Sequence, residues 1–117
     1  MEFTSLQIVK HAVEALQDKK GNDIQVIEVG DLTVLTEYFV LCSGTSTTQI
    51  KTLADAVEFQ LKQKGNPPIR VEGYQSGNWI AVDFGSVIVH VFHTEMREFY
   101  NLERVWADGK KIDIDTL

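Results

Sequence analysis

The run YFVLCSG, Tyr38 to Gly44, limits the fold more than any other part of this chain. It is apolar at odd and even positions alike, so neither face of such a strand suits water. A strand of this kind belongs inside a sheet covered on both faces, or beside a parallel neighbour. IQVIEV, Ile24 to Val29, has the same character, and Gly30-Asp31 ends it. A sheet of this sort needs helices to cover it.

Two helical patterns supply that cover. Thr4 and Gln7 form a T-x-x-Q capping box, with Phe3 and Ile8 spaced for a hydrophobic staple. Ile8, Val9, Ala12, Val13 and Leu16 then share one face. Lys19 and Lys20 suit the negative end of the helix dipole, and Gly21 suits the C′ position, which predicts a helix over 4–20. The second helix directly follows the run YFVLCSG. Ser46 and Gln49 repeat the box, Ile50, Leu53, Ala54, Val57 and Leu61 form the stripe, and Lys64-Gly65 with Pro67-Pro68 stop it.

Three more strands are predicted: IRVEGY (Ile69–Tyr74), WIAVDF (Trp79–Phe84) and SVIVHVF (Ser86–Phe92). Ser76-Gly77-Asn78 and Gly85 mark the turns between them. A short helix begins near Thr94, with Glu95 in its first turn, and runs to Asn101, with one more turn through Leu102 to Trp106. The tail DGKKIDIDTL has no partner pattern and is expected to be loose, leaving 1–108 as the folded domain and 109–117 as a flexible tail. The order α-β-β-α-β-β-β-α predicts a single α/β domain with a mixed β-sheet and helices packed on it.

Length and charge narrow the function. At 117 residues the chain suits one core. It offers no stretch long enough to span a bilayer, and MEFTSLQ is not a secretory signal. The single cysteine, Cys42, lies in an apolar run and suits a reducing compartment, so the cytoplasm is expected. A net charge of -6 argues against wrapping a phosphate backbone but leaves a basic protein partner open. Six acids and two bases lie between Val71 and Asp108, so this region carries -4 of the total.

No reactive constellation is legible. His90 and His93 fall on opposite faces of their strand, and His11 lies far away in sequence, so a shared metal is disfavoured. His90 reads instead as a hydrogen-bonded, semi-buried ring. CSGTS, Cys42 to Ser46, could place helix N–H groups near an anion, but it lacks the glycines and lysine of a phosphate loop and reads as a cap. Cys42 inside a strand is a poor nucleophile. The pair Asp113 and Asp115 could hold magnesium, yet solvated acids are the simpler reading. Asp83 is either a turn former or a contact for a partner. Among the aromatics, Trp79 is divided between core and interface, while Phe99 and Trp106 lean to core. The chemistry points to a gripping surface, with no catalytic residues, no metal and no cofactor.

The blocks DKKGNDIQVIEV, LTEYFVLCSGTS and VEGYQSGNWIAVDFGSVIVHVFHTEMREFYNLERVW resemble the ribosomal silencing factor family, also called RsfS or Iojap, from about Ile8 to Trp106. The last block is the most specific. It carries W-x-x-x-D-[YF]-G, V-H-V-F and R-x-[FY]-Y-x-L-E-x-[LV]-W in fixed order. The resemblance implies a nucleotidyltransferase-like sandwich without catalysis. It also implies binding to the large ribosomal subunit through its fourteenth ribosomal protein, a steric block on joining of the small subunit, and repression of translation when nutrients are short. A homodimer off the ribosome is implied too. From hydropathy and charge, no membrane and no sequence-specific nucleic acid is expected as a partner. Carried over, the binding surface falls on Trp79, Asp83, Phe84, Gly85, the strand Val87–Phe92 including His90, Arg97 and Tyr100. Phe84, Ser86 and Asn101 depart from the usual tyrosine and acids, so they are poor polar contacts. The rival expectation is a nucleotide-binding or nucleotidyltransferase-like enzyme on the same sheet, with its nucleotide at Gly44 to Ser46.

Overall fold

The computed structural model describes residues 2–30, 36–100 and 109–117, with backbone only for 98–100. The predicted turn through Leu102 to Trp106 lies outside these residues, and so does the side chain of Phe99.

Helix α1 spans Ser5–Asp18 and opens on the full capping box: Thr4 accepts from the Gln7 N–H, and Gln7 accepts from the Thr4 N–H at 2.8 Å. Two such bonds satisfy donors that the first turn would otherwise leave open. Its far end differs from expectation. The helix stops two residues early, and Lys20, not Gly21, takes the left-handed conformation at φ 62°. Gly21 donates back to the Leu16 carbonyl at 2.8 Å and Lys20 to Gln17 at 3.0 Å, which completes a Schellman turn one residue before the glycine. Gly21 is needed for a different reason. A Cβ there would stand 2.3 Å from the Cys42 sulfur.

The strands follow as β1 (Asn22–Glu28) and β2 (Tyr38–Gly44), then helix α2 (Thr47–Gln63), β3 (Arg70–Glu72), β4 (Trp79–Asp83), β5 (Val87–His93), α3 (Thr94–Tyr100) and β6 (Lys110–Ile112). Helix α2 ends with glycine where glycine belongs: Gly65 is at φ 82° and Asn66 donates to the Leu61 carbonyl at 2.8 Å. At its start Ser46 caps the Gln49 N–H at 3.1 Å, but the Gln49 side chain reaches the Thr45 N–H at 2.8 Å, one residue beyond the reciprocal position.

Among the described residues the sheet has six strands in the order β3-β4-β5-β2-β1-β6. The central pair, β2 and β5, is parallel, and every other neighbour is antiparallel. The mixed sheet and the single α/β domain are therefore as expected. The tail is not loose: Lys110, Lys111 and Ile112 pair with Glu28, Ile27 and Val26, and a 3-10 turn follows at Ile114–Thr116. Asp113 caps that turn by accepting the Asp115 N–H at 3.0 Å.

Both faces of the central strands are buried, as the apolar runs require. Helices α1 and α2 cover one face, where Val9, Leu16, Leu53 and Leu61 meet Val40, Cys42, Ile80, Val82, Val87, Val89 and Val91. On the opposite face Ile27, Val29, Phe39, Leu41 and Phe92 form a second cluster. The strand alternation that divides these sets also decides which side chains can reach a partner.

Candidate outer-face recognition site

The face away from α1 and α2 changes character across the sheet. It is closed over β1 and β2, and it opens over β3, β4 and the near side of β5. Trp79 stands there at 39% exposure, among the most exposed large apolar residues described. Register sets its neighbours. Trp79 pairs with Phe92, Ala81 with His90 and Glu72, and Asp83 with Ile88 and Arg70. The outer face therefore carries Arg70 and Glu72 on β3, Trp79, Ala81 and Asp83 on β4, and Ile88 and His90 on β5. Trp79, Ala81, His90, Glu72 and Gly73 line a shallow concavity.

The indole of Trp79 is held, not free. Its Nε1–H donates to His90 Nδ1 at 3.0 Å. The two rings meet at 65° with centroids 5.9 Å apart, and Trp79 also leans on Phe92 at 5.8 Å. On its other side His90 meets Phe39 edge-on at 5.0 Å. Burial pushes the His90 pKa down to about 4, against a weaker opposing pull from Asp83, so the ring is neutral near pH 7.

Asp83 does two jobs. One carboxylate oxygen accepts the Gly85 N–H at 2.7 Å and shapes the turn. The other lies 3.4 Å from Arg70 Nε, and Arg70 also reaches Glu72 at 3.8 Å. Gly85 sits at φ 88°, a conformation costly for a residue with a Cβ.

The remaining expected residues do not join this face. Phe84 shares the parity of Ile80 and Val82, so it turns to the helix side and packs against that core. Trp79 and Phe84 thus lie on opposite faces and cannot grip one surface together. Val87 is fully buried in the helix-side core. Arg97 is 4% exposed and points inward. Its guanidinium donates to the Asp23 carbonyl at 2.8 Å and to the Ser43 hydroxyl at 2.7 Å, and it lies 5.4 Å from the Phe92 ring centre. It fastens α3 to β1 and β2. Tyr100 ends α3, and its side chain lies outside the description. Conversely, Arg70, Glu72 and Ala81 belong to the face although no motif marked them. The alternation of IRVEGY and WIAVDF carried that information.

The rival site is built differently from a phosphate cradle. At Gly44 to Ser46 the cap folds onto itself: the Thr45 N–H donates to the Gln49 side chain, the Gln49 N–H donates to the Ser46 hydroxyl, and the Gly44 carbonyl accepts from the Thr94 hydroxyl at 3.2 Å. His93 Nδ1 accepts from the Glu95 N–H at 3.4 Å at the start of α3. Cys42 is fully buried, and desolvation lifts its pKa to about 12 despite the opposing effect of Arg97, so its thiol is inert. Among the described residues no group of three or more His, Cys, Asp or Glu could hold a metal ion, and no helix is long and apolar enough to cross a membrane.

Fold and site together define a small α/β domain whose described residues leave a sheet face open around a fixed aromatic. A family model, "Ribosomal silencing factor during starvation", matches residues 2–117, and the chain belongs to this family. It is 35% identical to the ribosomal silencing factor RsfS of Bacillus subtilis over 108 residues, 92% of each chain. It is 39% identical to RsfS of Chromobacterium violaceum over 104 residues, 89% of this chain and 85% of that one. A crystal structure of a Chromobacterium violaceum protein superposes with a TM-score of 0.87 at 38% identity, covering 95% of this chain and 92% of that one. Proteins of this family are non-catalytic regulators of translation.

Proposed function

We propose that this chain binds the large ribosomal subunit through the fourteenth ribosomal protein at the intersubunit side and keeps the small subunit from joining. The observation that carries the reading is the exposed Trp79 on an open sheet face, within a chain matched by the family model over nearly its whole length. An indole with its polar edge already bonded offers a large apolar surface at low entropic cost. Glu72 and Asp83 beside it suit a basic partner, and the excess of acids from Val71 to Asp108 would steer the encounter. The short edge strand β3 gives a second mode, pairing with a strand of the partner. In this reading Val87, Gly85 and Arg97 shape the frame, Trp79 and Asp83 meet the partner, and His90 stands behind the indole.

The wider reading places the protein in the cytoplasm, as a homodimer when free, repressing translation when nutrients are limiting. It keeps a nucleotidyltransferase-like label for the sandwich on the strength of the resemblance. The test is sedimentation with purified large subunits. Trp79→Ala combined with Asp83→Asn should bind at least about tenfold more weakly than wild type. Asparagine keeps the acceptor for the Gly85 N–H, so a loss would report the charge and the indole. Binding equal to wild type would overturn the reading.

A further inference from the structure

We infer that His90 is a positioning residue for the recognition face, holding the Trp79 indole in a docking-ready pose through its unprotonated Nδ1. The inference rests on the proposed binding role of this face and adds how its aromatic anchor is fixed. An indole N–H only donates, so the 3.0 Å bond requires a lone pair on His90 Nδ1. A neutral ring with a lone pair there carries its proton on Nε2, so the tautomer is set. Three contacts then hold the imidazole: Phe39 edge-on at 5.0 Å, Trp79 across the strand pair, and the β4–β5 ladder that sets Ala81 opposite His90. The Phe39 ring belongs to the closed part of the outer face, so His90 joins the rigid cluster over β2 to the exposed indole on β4. Arg70, Glu72 and Asp83 are the charged groups on the strands that flank the pair, and the low histidine pKa agrees with a neutral ring among them.

An exposed tryptophan on a strand otherwise samples several rotamers, and a partner must freeze one of them on binding. Here that ordering is done in advance. Asparagine is the conservative replacement, because its side-chain oxygen can stand where Nδ1 stood. Leucine fills similar space and accepts nothing.

The experiment has two arms. Nitrogen-15 NMR of the free protein reads the His90 tautomer and the Trp79 indole N–H signal. The expected result is a proton on Nε2, and a single slowly exchanging indole signal in wild type and His90→Asn that exchanges faster in His90→Leu. A proton on Nδ1 at neutral pH would overturn the inference without need of any variant. Sedimentation with purified large subunits is the second arm. His90→Asn should bind within about threefold of wild type and His90→Leu about tenfold more weakly, at matched thermal stability. If Trp79→Ala loses binding while His90→Leu keeps it, positioning by His90 fails and the binding face stands. If Trp79→Ala binds like wild type, the binding face itself fails, and the inference with it.

Discussion

At the residue scale, several side chains have roles that only three dimensions reveal. Gly21 looks like a helix stop, but its missing Cβ makes room for the Cys42 sulfur at the helix–sheet contact. Gly21→Ala should lower stability by about 2–3 kcal/mol through overpacking. Pairing it with Cys42→Ala should recover part of that loss, a coupling that a double-mutant cycle of denaturant unfolding measures. His90 gives a second test. Its ordinary pKa is 6.5 and its folded value is about 4, so between these pH values the unfolded chain holds more protons than the folded one. The stability owed to this ring is complete above about pH 6.5 and falls as pH drops towards 4, by up to about 3 kcal/mol. The gap in unfolding free energy between wild type and His90→Asn should narrow over that range, and a gap independent of pH would contradict the burial of the ring. Arg97 was out of reach of sequence reasoning. Its acceptors lie 54 and 74 positions earlier in the chain, and no local pattern announces such a bond.

At the element scale, most of the architecture was legible, because apolar spacing and caps are local. Both long helices, the two doubly apolar strands and the three later strands all follow from it. The side assignments were legible too. Alternation along WIAVDF already puts Trp79 and Phe84 on opposite faces, and along SVIVHVF it puts Val87 with the core. Residues carried over from a family motif as one block lose that distinction. Strand β6 was missed for a physical reason: Lys110–Ile112 is three residues long, too short for a period, and its pairing with β1 is a long-range event. The ends of α1 and α2 offer a matched comparison. Lys20 holds the left-handed position that Gly65 holds in α2. Lys20→Gly should raise stability by about 0.5–1 kcal/mol and Gly65→Ala should lower it by about 1 kcal/mol, read by thermal or denaturant unfolding.

At the scale of the whole molecule, the sheet divides the labour. Helices α1 and α2 close one face, and the second apolar cluster stiffens the centre of the other. In the proposed reading the part of that second face over β3 to β5 meets the partner. Its edge strands are short and charged, with Arg70 and Glu72 at one end and Lys110 and Lys111 at the other, which discourages uncontrolled strand pairing. The acidic balance belongs to this scale as well, since under the proposed function it would act on encounter with a basic partner and not on the fold.

Under the proposed function this face, seated on the large subunit, keeps the small subunit away. Light scattering of purified subunits mixed in magnesium, with the protein bound first to the large one, tests it most directly. Scattering should stay at the level of separate subunits with wild type and rise to the joined level with Trp79→Ala, Asp83→Asn. Full joining in the presence of saturating, bound wild-type protein would contradict the account.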